Sequence, residues 1–211
     1  PTDVRLCPND AIAEIGEMIG LRAAGHARGL EFHEIPDMDV FGHVRPGPDA
    51  GKRTDDGAAP GRALLDFGAG TGLLVAKLVP RVARVIAVDI SAAMLERLAA
   101  KPELADRVEI VCRDLLRAPL DRRVDLIVSA MAMHHVEDTA ALLATLRAHL
   151  EAGGGLALAD LDREDGSFHA PGTEGVFHHG FDRDALAAAL ARAGFDAIEF
   201  GTACVVHRDE R

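Results

Sequence analysis

The chain contains no tryptophan and no tyrosine among its 211 residues. Stacking on nucleic-acid bases, which relies on aromatic rings, would fall to Phe and His alone. Cysteine is scarce, with Cys7, Cys112 and Cys204 scattered along the chain and no CxxC pair. That pattern writes neither a disulfide framework nor a zinc knuckle. No apolar run approaches the roughly 20 residues that cross a bilayer. The amino terminus lacks the basic-then-apolar layout of a signal peptide, so the cytoplasm is the expected compartment. Basic side chains are also in deficit, 23 against 34 acidic ones, for a formal net charge of −11. Such a surface repels phosphodiester backbones and anionic membranes. Neither nucleic acid nor membrane is expected as a partner; a small molecule or a basic protein patch fits the field better.

What is present is ordinary for a globular protein: 48% hydrophobic and 27% charged residues. One domain with one substantial core is the natural reading at this length. Residues 46–61 (PGPDAGKRTDDGAAPG) hold three Pro and four Gly and read as a linker or exposed loop. Before it, Asn9 or Asp10 could cap a helix in which Ile12, Ile15 and Ile19 share one face. Residues 29–45 show no clear period. The chain thus divides into an N-terminal helical or irregular region with linker, 1–60, and a regular domain, 61–211.

After the linker, strands and helices alternate. Ala63–Phe67 is a short apolar run ending at glycines, as a buried parallel strand does. Leu73–Leu78 reads as a helix, Val82–Val88 as a strand, and Ser91 as the cap of a helix carrying Met94, Leu95 and Leu98. Val108–Val111 and Val124–Ser129 are further strands. Asp138 or Thr139 starts a helix with Leu142, Leu143, Leu146 and Leu150 on one side, closed by Gly153. Gly155–Leu161 is a fifth strand, and Asp182 caps a helix with Leu186, Leu190 and Ala193 inward and Gly194 at its end. Phe195–Phe200 and Ala203–His207 flank Gly201-Thr202, a two-residue hairpin turn. The expectation is an α/β fold: a doubly wound, mostly parallel seven-stranded sheet with a terminal antiparallel hairpin.

The strongest local signal is Leu64-Leu65-Asp66-Phe67-Gly68-Ala69-Gly70-Thr71-Gly72. Glycines let the backbone turn from strand to helix and approach a ligand at the strand's carboxyl end. In a dinucleotide fingerprint the third glycine falls five residues after the first; here Gly72 falls four after Gly68. Asp66 stands just before the loop, which suits a cationic cofactor without phosphate. S-adenosylmethionine, with its sulfonium and ammonium, is such a cofactor. Asp89 ends the second strand, where a carboxylate can accept both ribose hydroxyls. Asp114 and Leu115 follow the third strand, the place for an adenine amino contact and an apolar ring contact. Each aspartate alone reads equally as a cap or turn residue. Three carboxylates ending successive strands behind a glycine loop are harder to explain so.

The stretches LLDFGAGTG, VIAVDISAAML, RDL and DLIVSAMAMHHV resemble the class I S-adenosylmethionine-dependent methyltransferases. The likeness is greatest to the small-molecule group that includes the ubiquinone/menaquinone methyltransferases, and it spans residues 63–207. It implies a Rossmann-like domain in which Gly68, Ala69 and Gly70 line the methionine moiety, with Asp66 at the base of the loop. It further implies Asp89 on the ribose, Ile90 and Met94 flanking the adenine, Asp114 and Leu115 contacting it, and Ala130 touching the cofactor from the fourth strand. The implied activity is methyl transfer to an O, N or C atom of a small-molecule acceptor. Protein or RNA methylation, a non-catalytic cofactor-binding module and an NAD-dependent oxidoreductase are the alternatives. The aromatic W-D or Y-D pair that commonly opens members of this group has no counterpart here.

Two histidine pairs complete the candidates. His134-His135 follow the fourth strand, and His178-His179 lie in a stretch of about 20 residues between Asp162 and Phe181 that leaves the sheet's carboxyl edge. That loop reads as an acceptor-binding wall, the alternative being an exposed excursion. His135 or His178 is the candidate base, because an imidazole of ordinary pKa can take a proton from an acceptor. Equally, His134 could pack against the next helix and His135 cap a carbonyl. His169, Asp160 and Asp162 invite a metal reading of the same region. No metal is expected, since adjacent histidines point apart and no HxH or HxxxH spacing fixes a ligand face.

Overall fold

The structure is a computed structural model that describes residues 63–203 and the backbone of residues 40–45. The expected helix near Ile12–Ile19, the linker at 46–61 and the boundary at residue 60 all lie outside the described residues.

The strands are β1 (Val40–Arg45), β2 (Ala63–Phe67), β3 (Arg84–Asp89), β4 (Val108–Cys112), β5 (Val124–Ala130), β6 (Leu150–Asp160) and β7 (Asp196–Gly201). The helices are α1 (Leu73–Leu78), α2 (Ala92–Ala99), α3 (Thr139–Ala148) and α4 (Arg183–Arg192). Within the sheet the order is β4-β3-β2-β5-β6-β1-β7. From β4 to β6 every pairing is parallel. The sheet is therefore mostly parallel, and its order reverses between β2 and β5. Ligands of open α/β sheets bind at such a point, outside the strands' carboxyl ends.

Strand residues alternate between the faces, as the pleat demands. Leu64, Val85, Ala87 and Val128 join one core cluster, which α1 and α2 cover with Leu74, Val75, Leu78, Leu95 and Leu98. Leu65, Ile86, Val88 and Ile127 join the other, covered by Leu142, Leu143 and Leu146 of α3 and by Leu186 and Leu190 of α4. Ser91, Asp138 and Asp182 each accept a backbone N–H at the start of α2, α3 and α4, satisfying donors the helix leaves orphaned. The doubly wound reading rests on this two-sided core.

Three expectations need correcting. Leu150 is not on α3 but begins β6, and Gly153 lies within that strand at φ 78 rather than closing the helix. The reason is His149: its Nδ1–H donates to Thr145 O (2.7 Å) and its Nε2 accepts Leu120 N–H (2.9 Å), so the helix stops there. Residues 40–45, which carry no period, form an antiparallel strand between β6 and β7. β7 thus pairs with β1 on one side; the expected terminal hairpin to Ala203–His207 involves residues 204–207, which lie outside the described residues. The expected count of seven strands relied on that last strand.

Candidate cofactor and acceptor site

The glycine loop leaves β2 and turns back under the end of β3. Gly68 N–H and Ala69 N–H both donate to Val88 O, at 2.9 and 3.0 Å. Gly68 has φ 72, and a Cβ built on it would lie 2.3 Å from the Ala132 Cβ. Only glycine lets this turn lie against the segment leaving β5.

Asp89 binds the loop to the next helix. Its Oδ2 accepts Gly70 N–H and its Oδ1 accepts Ser91 N–H, both at 2.8 Å. Beside it, Ile90 is 76% exposed and Met94 44% exposed, large apolar side chains left open to solvent. Beneath the loop, Asp66 is buried, and its Oδ2 has no hydrogen-bond partner. Burial, and secondarily the Asp89 charge, push its pKa up to about 8. An orphaned buried carboxylate oxygen under a glycine cradle suits a cationic group above it.

Asp114 lies past the end of β4, where its Oδ1 accepts Leu116 N–H (2.9 Å) and its Oδ2 meets Arg117 Nε (3.4 Å). Leu115 has no exposed surface and packs in the core, while its neighbour Leu116 is partly buried. Ala130 is partly buried at the end of β5. The next residue, Met131, takes φ 55 and donates its N–H to Ala159 O, a turn that no local sequence signal marks.

Past that turn the chain forms a short 3₁₀ turn, Met133–His135. His134 is buried, and its Nδ1 lies 2.6 Å from Asp160 Oδ1. Asp160 also accepts the backbone N–H groups of Met133 and Leu161 at 2.9 and 2.8 Å. His135 is exposed, and its Nδ1–H donates to Gly175 O (2.7 Å). His169 reaches the same place from the long loop. Its ring centroid is 5.1 Å from that of His134 and 5.7 Å from that of His135, while the two neighbours stand 4.0 Å apart. Burial chiefly, then His134 and His135, hold the His169 pKa below the ordinary imidazole value. The adjacent histidines converge because they sit on a 3₁₀ turn rather than an extended strand.

The loop between Asp162 and Phe181 is closed at its neck. Arg163 N–H donates to Phe181 O and Phe181 N–H to Leu161 O, while Arg183 clasps the Asp162 carboxylate with two bonds. Its far side docks where Phe177 N–H and His178 N–H both donate to His134 O. His178 Nε2 must donate to Val136 O (2.9 Å), since a carbonyl only accepts. That bond ties His178 to the segment after β5 and leaves Nδ1 as the acceptor nitrogen of its ring. His179 is exposed, 3.4 Å from Glu164 Oε1.

A doubly wound sheet with a glycine loop at its switch point, and a strand-end carboxylate and open apolar residues after the neighbouring β3, has the build of a nucleoside-cofactor-binding domain. The methyltransferase domain family matches residues 64–154. An uncharacterized methyltransferase of Geobacillus kaustophilus is 31% identical over 153 residues, covering 65% of this chain and 70% of that protein. An uncharacterized methyltransferase of Mycobacterium tuberculosis is 38% identical over 99 residues, 46% of this chain. The chain spans about half, 49%, of the length of that relative. Among solved structures, Haemonchus contortus phosphoethanolamine N-methyltransferase 2 in complex with S-adenosyl-L-methionine superposes with a TM-score of 0.57 at 21% identity. That match covers 68% of this chain and 35% of that one and shows a shared fold. The chain belongs to the class I S-adenosylmethionine-dependent methyltransferases.

Proposed function

We propose that this protein transfers the methyl group of S-adenosylmethionine to an O, N or C atom of a small-molecule acceptor in the cytoplasm. The observation that carries the cofactor half is the buried Asp66 carboxylate, unpartnered beneath a glycine loop that Asp89 holds in place. In this reading Asp66 faces the cofactor's ammonium from below, and Gly68, Ala69 and Gly70 cradle the methionine moiety. Asp89 receives the ribose hydroxyls, Ile90 and Met94 cover the adenine with their open apolar surfaces, Asp114 meets its amino group, and Ala130 closes the side toward β5. When bound, the cofactor supplies a methyl group already activated on a sulfonium, so the protein's task is alignment and exclusion of water.

The acceptor half rests on the loop at 162–181, which closes over the carboxyl end of β5. The net charge of −11 and the missing Trp and Tyr favour a small acceptor over RNA. His135 holds its Nδ1 proton against Gly175 O, so its Nε2 carries a lone pair that can take a proton from an acceptor. No helix among the described residues is long and apolar enough to cross a membrane.

The test is a titration followed by a transfer screen. Calorimetry should show S-adenosylhomocysteine binding and no NAD binding; tight NAD binding without a response to S-adenosylhomocysteine overturns the cofactor reading. Label from methyl-tritiated S-adenosylmethionine should then pass to components of a metabolite extract and not to protein or RNA fractions.

A further inference from the structure

We propose that His134, His135 and His169 form a binding site for a divalent transition-metal ion, with zinc the ion best matched to three imidazoles. One ring nitrogen from each residue lies within 4.8 Å of the others. Zinc–nitrogen bonds of about 2.0–2.1 Å place tetrahedral ligands roughly 3.3 Å apart, so small side-chain rotations close the cluster on an ion.

The outer contacts are those a metal site requires. His134 Nδ1 is held by the Asp160 carboxylate and His135 Nδ1 by Gly175 O. With those nitrogens protonated, Nε2 is the lone-pair atom of each ring. A histidine that donates its second nitrogen to a carboxylate or carbonyl is the common form of a metal ligand, because the bond fixes tautomer and ring orientation. Asp160 is itself fixed by three backbone N–H groups, from Met133, His134 and Leu161. The inner side is what the fold leaves unexplained. His134 Nε2 and His169 Nε2 are both buried without a hydrogen-bond partner. Two buried imidazole nitrogens without a partner, on rings whose centroids stand 5.1 Å apart, are groups that a cation would satisfy.

Three protein ligands leave a fourth coordination position open, as in zinc sites that bind a water or a small ligand. The ligands come from two elements: the turn after β5 and the loop at 162–181. An ion here would therefore fasten that loop over the sheet's carboxyl edge. It would also occupy the Nε2 lone pair of His135, so proton abstraction by that residue and metal ligation exclude each other.

The experiment uses the full chain freed of any affinity tag, stripped with chelator and titrated with zinc chloride against a chromophoric zinc indicator. The expected result is one equivalent bound, with affinity at least tenfold weaker in His169→Ala and in His135→Ala. His179→Ala, outside the cluster, should bind as the unsubstituted protein does. Cobalt(II) loading should give visible absorption of a four- or five-coordinate site that both cluster variants lose. Absence of stoichiometric zinc binding, or equal binding by all three variants, overturns the proposal. If His169→Ala fails to fold, judged by its thermal transition without metal, the exposed His135 decides the question alone. No cofactor or acceptor is present in the titration, so its failure leaves the methyltransferase reading standing, and failure of methyl transfer leaves the metal site standing.

Discussion

Asp89 Oδ2 accepts the Gly70 N–H at 2.8 Å, so the carboxylate at the end of β3 and the glycine loop after β2 form one unit. The other oxygen holds Ser91 N–H, the cap of α2. A residue expected to serve the ribose therefore also sets the shape of the cradle that receives the methionine end. Asp89→Ala should weaken S-adenosylhomocysteine binding by about 1.5–3 kcal/mol, the range for losing hydrogen bonds to a charged group. Calorimetry on the folded variant measures this. Unchanged affinity would show Asp89 to be a strand-end residue and nothing more.

The parts of this fold that were legible in the sequence are those set by local physics. Leu64 and Leu65 alternate between two faces because the strand is covered on both, and a continuous apolar run bounded by glycines announces such a strand. Ser91, Asp138 and Asp182 announce the helix starts because each fills an orphaned donor. Asp66, Gly68 and Asp89 stood out because their spacing is tied to one turn. The sequence raises a metal reading of the histidine-rich region but does not show which histidines meet. His134 and His135 converge only because a 3₁₀ turn follows the φ 55 turn at Met131, and His169 joins them only because the loop folds back. β1 was missed for a related reason: pairing on both sides makes a strand of residues 40–45, which show no period of their own.

Core packing offers a direct check on the two-sided core. Leu146 of α3 is fully buried between the helix and the sheet. Leu146→Ala should cost about 2–5 kcal/mol of stability, from lost transfer energy and the cavity left behind. Urea unfolding should register it as a lower midpoint with an unchanged slope. A cost below about 1 kcal/mol would mean that α3 does not pack as described.

The loop neck depends on Gly180. This residue has φ 71, and a Cβ built on it would lie 1.9 Å from Asp162 O. Gly180→Ala should therefore open the neck, at a cost above the roughly 1 kcal/mol that alanine saves or loses at unstrained sites. The expected reading is faster proteolytic cleavage within residues 162–181, with S-adenosylhomocysteine affinity changed less than by Asp89→Ala. Equal protection of variant and parent would show that the neck tolerates a side chain and that the loop is held from its far side alone.

The buried Asp66 makes two pH predictions that share one cause. Its pKa stands at about 8 in the folded chain, against an ordinary 3.8, because burial and the Asp89 charge disfavour the carboxylate. A carboxyl raised on folding stabilises fully below the unfolded value, and that stability is lost as pH rises through the folded value. The ligand-free protein should thus weaken between about pH 4 and pH 8, with a slope of up to about 1.4 kcal/mol per unit from this one group. Asp66→Asn should flatten that slope. Binding supplies the second prediction. At pH 7 the free protein holds Asp66 mostly protonated, and a cofactor ammonium placed against it would favour the carboxylate. S-adenosylhomocysteine binding should then release up to roughly one proton. Calorimetry in buffers of different ionisation enthalpy reads that number directly. Asp66→Asn should release none. A parent protein that binds with no proton exchange would place the ammonium elsewhere, and the buried carboxyl would be a neutral part of the loop's base.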